Sequence, residues 1–161
     1  MHGILLALLL LPSFIGLWNP RVGHGAVYAV TDRQGEVEGL DVAVLGQQGT
    51  DWWVEVAYHG LDERRVRQLV SSSGAVLAVV VEEGGARREL PAGAWQGGGL
   101  PIPVTQVGQK VGQEKVGALA CDVYAVEGGS RLWICPEVTP FGLVRLQSRD
   151  LKLELVRCTG P

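Results

Sequence analysis

The chain has 161 residues, 47% of them apolar, and 14 Lys and Arg stand against 17 Asp and Glu for a formal charge of −3. That length suits one domain able to bury its own core, and without a basic stripe the chain lacks the electrostatic footprint of a nucleic-acid binder. Its 23 glycines and single methionine suit a turn-rich β chain better than a helical bundle.

The chain opens on an unbroken apolar run from Ile4 to Leu11, which Pro12 interrupts and Phe14 to Trp18 extends. This is the length of a secretory h-region, and it is short for a membrane span, which needs about 20 apolar residues. Only the α-amino group and His2 precede it, and no Cys ends it to carry a lipid. The expectation is a leader helix over residues 1–25, acting as a signal peptide or N-terminal membrane anchor. No clean small-x-small cleavage site follows before Arg21; Phe14–Gly16 is a poor candidate and Gly23–Gly25 a better one. An antiparallel β domain over 26–161 follows, exported to the periplasm or cell envelope and touching membrane only through the leader.

Beyond the leader the apolar residues recur with period two, the repeat of strands with one buried face. Ala26 to Thr31 predicts a first strand and Asp32 to Gly35 a turn. Val37 to Leu45 places Leu40, Val42 and Val44 on one side. After the polar turn Gly46 to Asp51, a strand over Trp52 to His59 sets Trp52, Val54, Val56 and Tyr58 opposite Trp53, Glu55, Ala57 and His59. Leu61 to Val70 is taken as strand, although its charges would also suit a short helix. Ala75 to Val81 is wholly apolar and predicts a central strand buried on both faces. Glu82 to Arg88 closes a hairpin.

Pro91 to Pro103 is too rich in Gly and Pro for a strand or helix, and is expected as the longest irregular connection. In the second half, Lys115 to Val126 reads as one strand, with Leu119, Cys121, Val123 and Ala125 on one face. A glycine turn at Glu127 to Ser130 returns the chain through Arg131 to Cys135. Pro136 to Pro140 predicts an extended corner, because proline fixes φ and donates no ladder bond. A last strand pair, Gly142 to Ser148 and Leu151 to Arg157, turns Leu151, Leu153 and Leu155 one way and Lys152 and Glu154 the other.

Gly117, Tyr124, Trp133, Pro136, Pro140 and the run Gly142, Leu143, Val144, Arg145 form a pattern. It resembles exported bacterial proteins related to the LolA and LppX lipoprotein carriers. Val22-Gly23, Tyr28, Trp53-Val54-Glu55 and Leu69-Val70 extend the likeness into the first half. The resemblance implies a strongly curved antiparallel sheet, an incomplete barrel whose concave face holds acyl chains or a partner. It departs from those carriers in having no helical periodicity after the leader.

No residue cluster carries a catalytic signature. Ser71 to Ser73 lack a nucleophile elbow, Gly97 to Gly99 lack the Lys-Ser/Thr of a phosphate loop, and Glu82-Glu83 suit a solvated hairpin end. His2, His24 and His59 are scattered and no C-x-x-C occurs, so neither a metal nor any other cofactor is expected. Cys121 and Cys135 are disulfide candidates, with two reduced buried thiols as the equal alternative and Cys158 left to pair with either. Hairpin pairing about the glycine turn is expected to set Cys121 some way along its strand from the residue facing Cys135, so a bridge depends on register. Trp52, Tyr124 and Trp133 on strands, with Trp95 in the Gly/Pro connection, are the candidate ligand contacts, against the plain alternative of core packing. The expected function is non-catalytic: an exported binding or carrier protein for a lipid, an acyl chain or a lipidated protein segment. The alternative is a structural module of the cell envelope with a filled core, docking to an envelope protein by its strand edges.

Overall fold

The computed structural model describes residues 15–35, 37–60, 63–91, 102–104, 108–126 and 128–161. Among them there is no helix, and thirteen strands account for nearly all of the regular structure. In chain order these are β1 (Ile15–Leu17), β2 (Gly25–Asp32), β3 (Val37–Gln48), β4 (Asp51–His59), β5 (Arg64–Val70), β6 (Val76–Glu83) and β7 (Ala86–Pro91). They continue as β8 (Ile102–Val104), β9 (Gln109–Val116), β10 (Leu119–Val126), β11 (Ser130–Ile134), β12 (Leu143–Gln147) and β13 (Leu151–Thr159).

Eleven of them form one open antiparallel sheet in the order β7-β6-β5-β4-β3-β2-β13-β12-β11-β10-β9. The chain thus makes two meanders, and pairing of β13 with β2, its first and last long strands, joins them. Tight glycine turns make this economical: Gly35, Gly84, Gly85, Gly128 and Gly129 all take positive φ, which costs a residue without Cβ nothing. β1 and β8 pair in parallel as a separate two-stranded ribbon. β8 lies on the connection between β7 and β9, the two edges of the large sheet.

Period-two alternation sorts the side chains onto two faces. Tyr28, Leu40 and Tyr58 are cross-strand neighbours, as are Ala26, Val42 and Val56, and such paired residues share a face. A parallel row of the same face runs from Val30 through Leu153, Leu146, Leu132 and Tyr124 to the far side of the sheet. On this apolar face Tyr28, Leu40, Val42, Val44, Val54, Val56, Val66, Leu132 and Leu153 are almost wholly buried, and they belong to one continuous core. The Gly/Pro-rich connection therefore does not divide the molecule into two cores. The opposite face carries charge, including the pairs Arg67–Glu55 at 2.9 Å, His59–Asp41 at 2.9 Å and Arg145–Glu154 at 3.4 Å.

Three expectations about the strands need correction. Ala75 to Val81 is indeed apolar because Val79, Val80 and Val81 are all buried, but β6 stands next to the sheet edge rather than at its centre. Lys115 to Val126 is two strands, since Gly117 takes φ 60° and turns the chain between β9 and β10. β9 was hidden in the sequence because its side chains are exposed on both faces, so no apolar alternation marks it. Inside the Gly/Pro connection, residues 102–104 are strand, while 92–101, with Trp95, lie outside the described residues.

The leader run over residues 1–14 also lies outside them. From Ile15 onward the segment expected to continue the leader helix is a short strand followed by irregular chain. It is packed: Trp18 is buried, and the Asn19 backbone N–H donates to the Pro140 carbonyl at 2.7 Å. Gly16 is pressed against Phe141 so closely that an added Cβ would stand 2.5 Å from the Phe141 Cβ. Residues 15–25 therefore pack with the sheet they precede.

Candidate functional site

The sequence-expected contacts fall on both faces of the sheet. Trp52 is half-buried on the apolar face of β4, where Trp18 meets it edge-on with ring centroids 6.1 Å apart. Trp18 also touches Phe141 at 6.0 Å, so one indole bridges two other aromatic side chains. Tyr124 is on the same face, half-buried on β10. Beside it the Asp122 carboxylate pairs with Lys110 at 2.9 Å and accepts from Gln113 at 3.0 Å, bonds that hold its pKa below the usual carboxylate range.

Trp133 is elsewhere. Its neighbours are Val123 and Arg145, which places it on the charged face, buried under the Arg145 guanidinium 5.2 Å above its ring. Its indole N–H donates to Glu114 at 3.0 Å, a bond that satisfies the one polar atom of a buried ring. A site containing Trp52, Tyr124 and Trp133 together does not form.

The apolar face is not wholly apolar. Arg64 and Gln68 of β5 point into it and are buried, Arg64 with its guanidinium 4.8 Å from the Tyr58 ring centroid. Burial raises the Tyr58 hydroxyl well above its ordinary pKa, although Arg64 pulls it back in part. Among the described residues, two buried polar atoms on this side have no hydrogen-bond partner: the Gln68 carbonyl oxygen and the Trp18 indole N–H. Neither residue stood out in the sequence as more than strand or leader. An orphaned acceptor and an orphaned donor each cost about 1–3 kcal/mol, unless water or a ligand satisfies them.

Around the filled centre, apolar residues of the same face remain half-buried at the rim: Val76 and Leu90 by one edge of the sheet, Tyr124 and Val126 by the other, Leu155 and Trp52 between. Among the described residues the charged face bears two open clefts. One, of about 490 Å³, lies between Trp53, Leu45, Val80, Arg67 and Arg87. The other, of about 450 Å³, lies between the β10–β11 and β12–β13 turns, with Trp133, Arg131 and Arg149 on its walls.

Cys121 and Cys135 are both buried, whereas Cys158 is exposed. β10 and β11 pair as far as Asp122 opposite Ile134, and Cys121 and Cys135 stand one step beyond that last pair of the ladder. The expected offset along the strand is absent because the ladder, with Val126 opposite Ser130, is centred on Gly128, from which Cys121 and Cys135 are equally far. Burial, and then the neighbouring Cys135 thiol, push the Cys121 thiol up to about 11. Among the described residues no three His, Cys, Asp or Glu side chains gather as metal ligands. No protein-family model and no curated protein matches this sequence.

Proposed function

We propose that the protein is a non-catalytic binding module that holds an apolar ligand with a polar group, such as a lipid, an acyl chain or a lipidated protein segment, against the apolar face of its sheet. The observation that carries this reading is two buried polar atoms left without a partner among the described residues, Gln68 Oε1 and Trp18 Nε1, on a face lined mostly by Val, Leu and aromatic side chains with Arg64 buried among them. A ligand ester, amide or hydroxyl supplies what they lack, and its chain extends along the half-buried rim residues.

The reading includes a curl of the sheet around that face, in the manner of the LolA and LppX carriers that the sequence resembles. Its support is Trp18, which touches Trp52 on β4 and Phe141 just before β12, so that those two rings lie within about 12 Å. Four strand steps separate β4 from β12, about 19 Å in a flat sheet. The apolar run at the N-terminus is the reason to place the protein outside the cytoplasm, in the periplasm or cell envelope.

A second reading, a structural module of the envelope that docks by its strand edges, draws on a different observation. The centre of the apolar face is already filled by side chains, and edge strands β7 and β9 are exposed along nearly their whole length. Native mass spectrometry and organic extraction of the purified full chain separate the two. Co-purifying lipid, displaced by an environment-sensitive apolar dye, supports the first reading. Protein that carries no lipid and leaves the dye dark overturns it in favour of the second.

A further inference from the structure

We propose that Cys121 and Cys135 form a disulfide that staples β10 to β11, made by thiol–disulfide exchange with an oxidised dithiol, and that Cys158 stays outside it. The inference stands on strand register and does not depend on what the apolar face binds. Directly opposed residues of an antiparallel pair have Cβ atoms about 4.5–5.5 Å apart, close to the roughly 3.5–4.5 Å that a disulfide spans. Their Cα separation, about 4.5–5.5 Å, already falls within the disulfide range. Continued one step past Asp122 and Ile134, the register makes Cys121 and Cys135 such a pair, both are buried, and each thiol lies near enough to shift the other's pKa.

Cys158 is excluded by side as well as by burial. It pairs with Ala26 on the apolar face, whereas the position opposite Cys121 on β9 is Glu114, the partner of Trp133 on the charged face. The three thiols therefore divide into a facing pair and one exposed single.

The step balances as follows. One thiolate attacks the disulfide of the oxidant and forms a mixed disulfide, releasing the first oxidant thiol. The second thiolate then attacks the cysteine sulfur of that mixed disulfide and releases the other. The net result is one new S–S bond in the protein, two protons handed to the oxidant, and the oxidant reduced to a dithiol. Burial holds both thiols protonated, so the folded reduced protein exchanges slowly and oxidation belongs to the time of folding.

The test uses the full chain, refolded once in a glutathione buffer poised to oxidise and once in reductant, then alkylated in denaturant and weighed intact. The oxidised sample is expected to take one alkyl group and the reduced sample three, with a proteolytic fragment linking Cys121 to Cys135. A crosslink closing a loop of about 15 residues is expected to raise Tm by about 5–10 °C. Three alkyl groups after oxidation, or a crosslink that includes Cys158, would overturn the proposal. C158S, refolded in the same buffers, is expected to close the same bond with no thiol left over. Two alkylatable thiols in that variant would refute it as well.

Discussion

The Tyr28 hydroxyl on β2 donates a buried hydrogen bond of 2.7 Å to the Leu143 carbonyl on β12, reaching past β13, the strand that separates them. The bond ties the two meanders together at their seam with a contact that belongs to no ladder. Tyr28→Phe keeps the ring and leaves that carbonyl without its donor. It is expected to cost about 1–3 kcal/mol, read as a lowered urea midpoint with an unchanged m value. An unaltered midpoint would mean that the bond contributes nothing.

Alkaline pH is expected to unfold the protein through the same residue. Burial lifts Tyr28 far above its ordinary value, and Tyr58 likewise, so the folded chain keeps two protons that the unfolded chain releases above about pH 10. Their contribution is complete below that pH and drains away as pH climbs beyond it. In the reduced protein Cys121 adds the same sign from its own ordinary value upward. The check is a pH series of thermal melts alongside absorbance near 295 nm. Phenolate formation by Tyr28 and Tyr58 should rise together with loss of the β signal, and their ionisation in a still-folded protein would contradict it.

Gln68→Leu separates stability from binding. Removing a buried acceptor that has no protein donor is expected to stabilise the ligand-free chain by about 1 kcal/mol, a rise of a few degrees in Tm. The same change is expected to weaken retention of any co-purifying lipid, because the ligand loses its polar anchor. A variant that is less stable when lipid-free would show that Gln68 already has a partner.

Glu114 is expected to matter more to Trp133 than its exposed strand suggests. Glu114→Ala leaves a buried indole N–H unpaired and should cost about 1–3 kcal/mol, with a change in tryptophan emission. Glu114→Gln retains an acceptor and should restore most of the loss. Equal effects from both variants would point instead to the charge beside the Arg145 guanidinium.

Much of the strand pattern was legible because half-buried strands write their burial as alternation. Leu40, Val42 and Val44 on β3, Trp52 to Tyr58 on β4, and Leu151, Leu153 and Leu155 on β13 all face as their spacing predicts. β9 escaped notice because an exposed edge strand has no apolar face to betray it. The candidate contacts were less readable. A tryptophan on a strand announces burial without saying against what, so Trp133 and Trp52 looked alike although they lie on opposite faces. Gln68 gave no signal at all, since a polar residue inside an alternating strand is legible only when its neighbours are known to be apolar and buried.

The local periodicity alone determined that the chain is built of antiparallel strands with one greasy side, because side-chain direction reverses at every residue of an extended backbone whatever surrounds it. Tertiary structure decided which strands became edges, that β13 closes on β2 to make one core of two meanders, and that Cys121 meets Cys135. Those outcomes depend on register and strand order. The β2–β13 seam is set by contacts between residues more than a hundred positions apart, such as Tyr28 with Leu143, and the edges and hairpin registers by turns and pairings that apolar alternation does not encode.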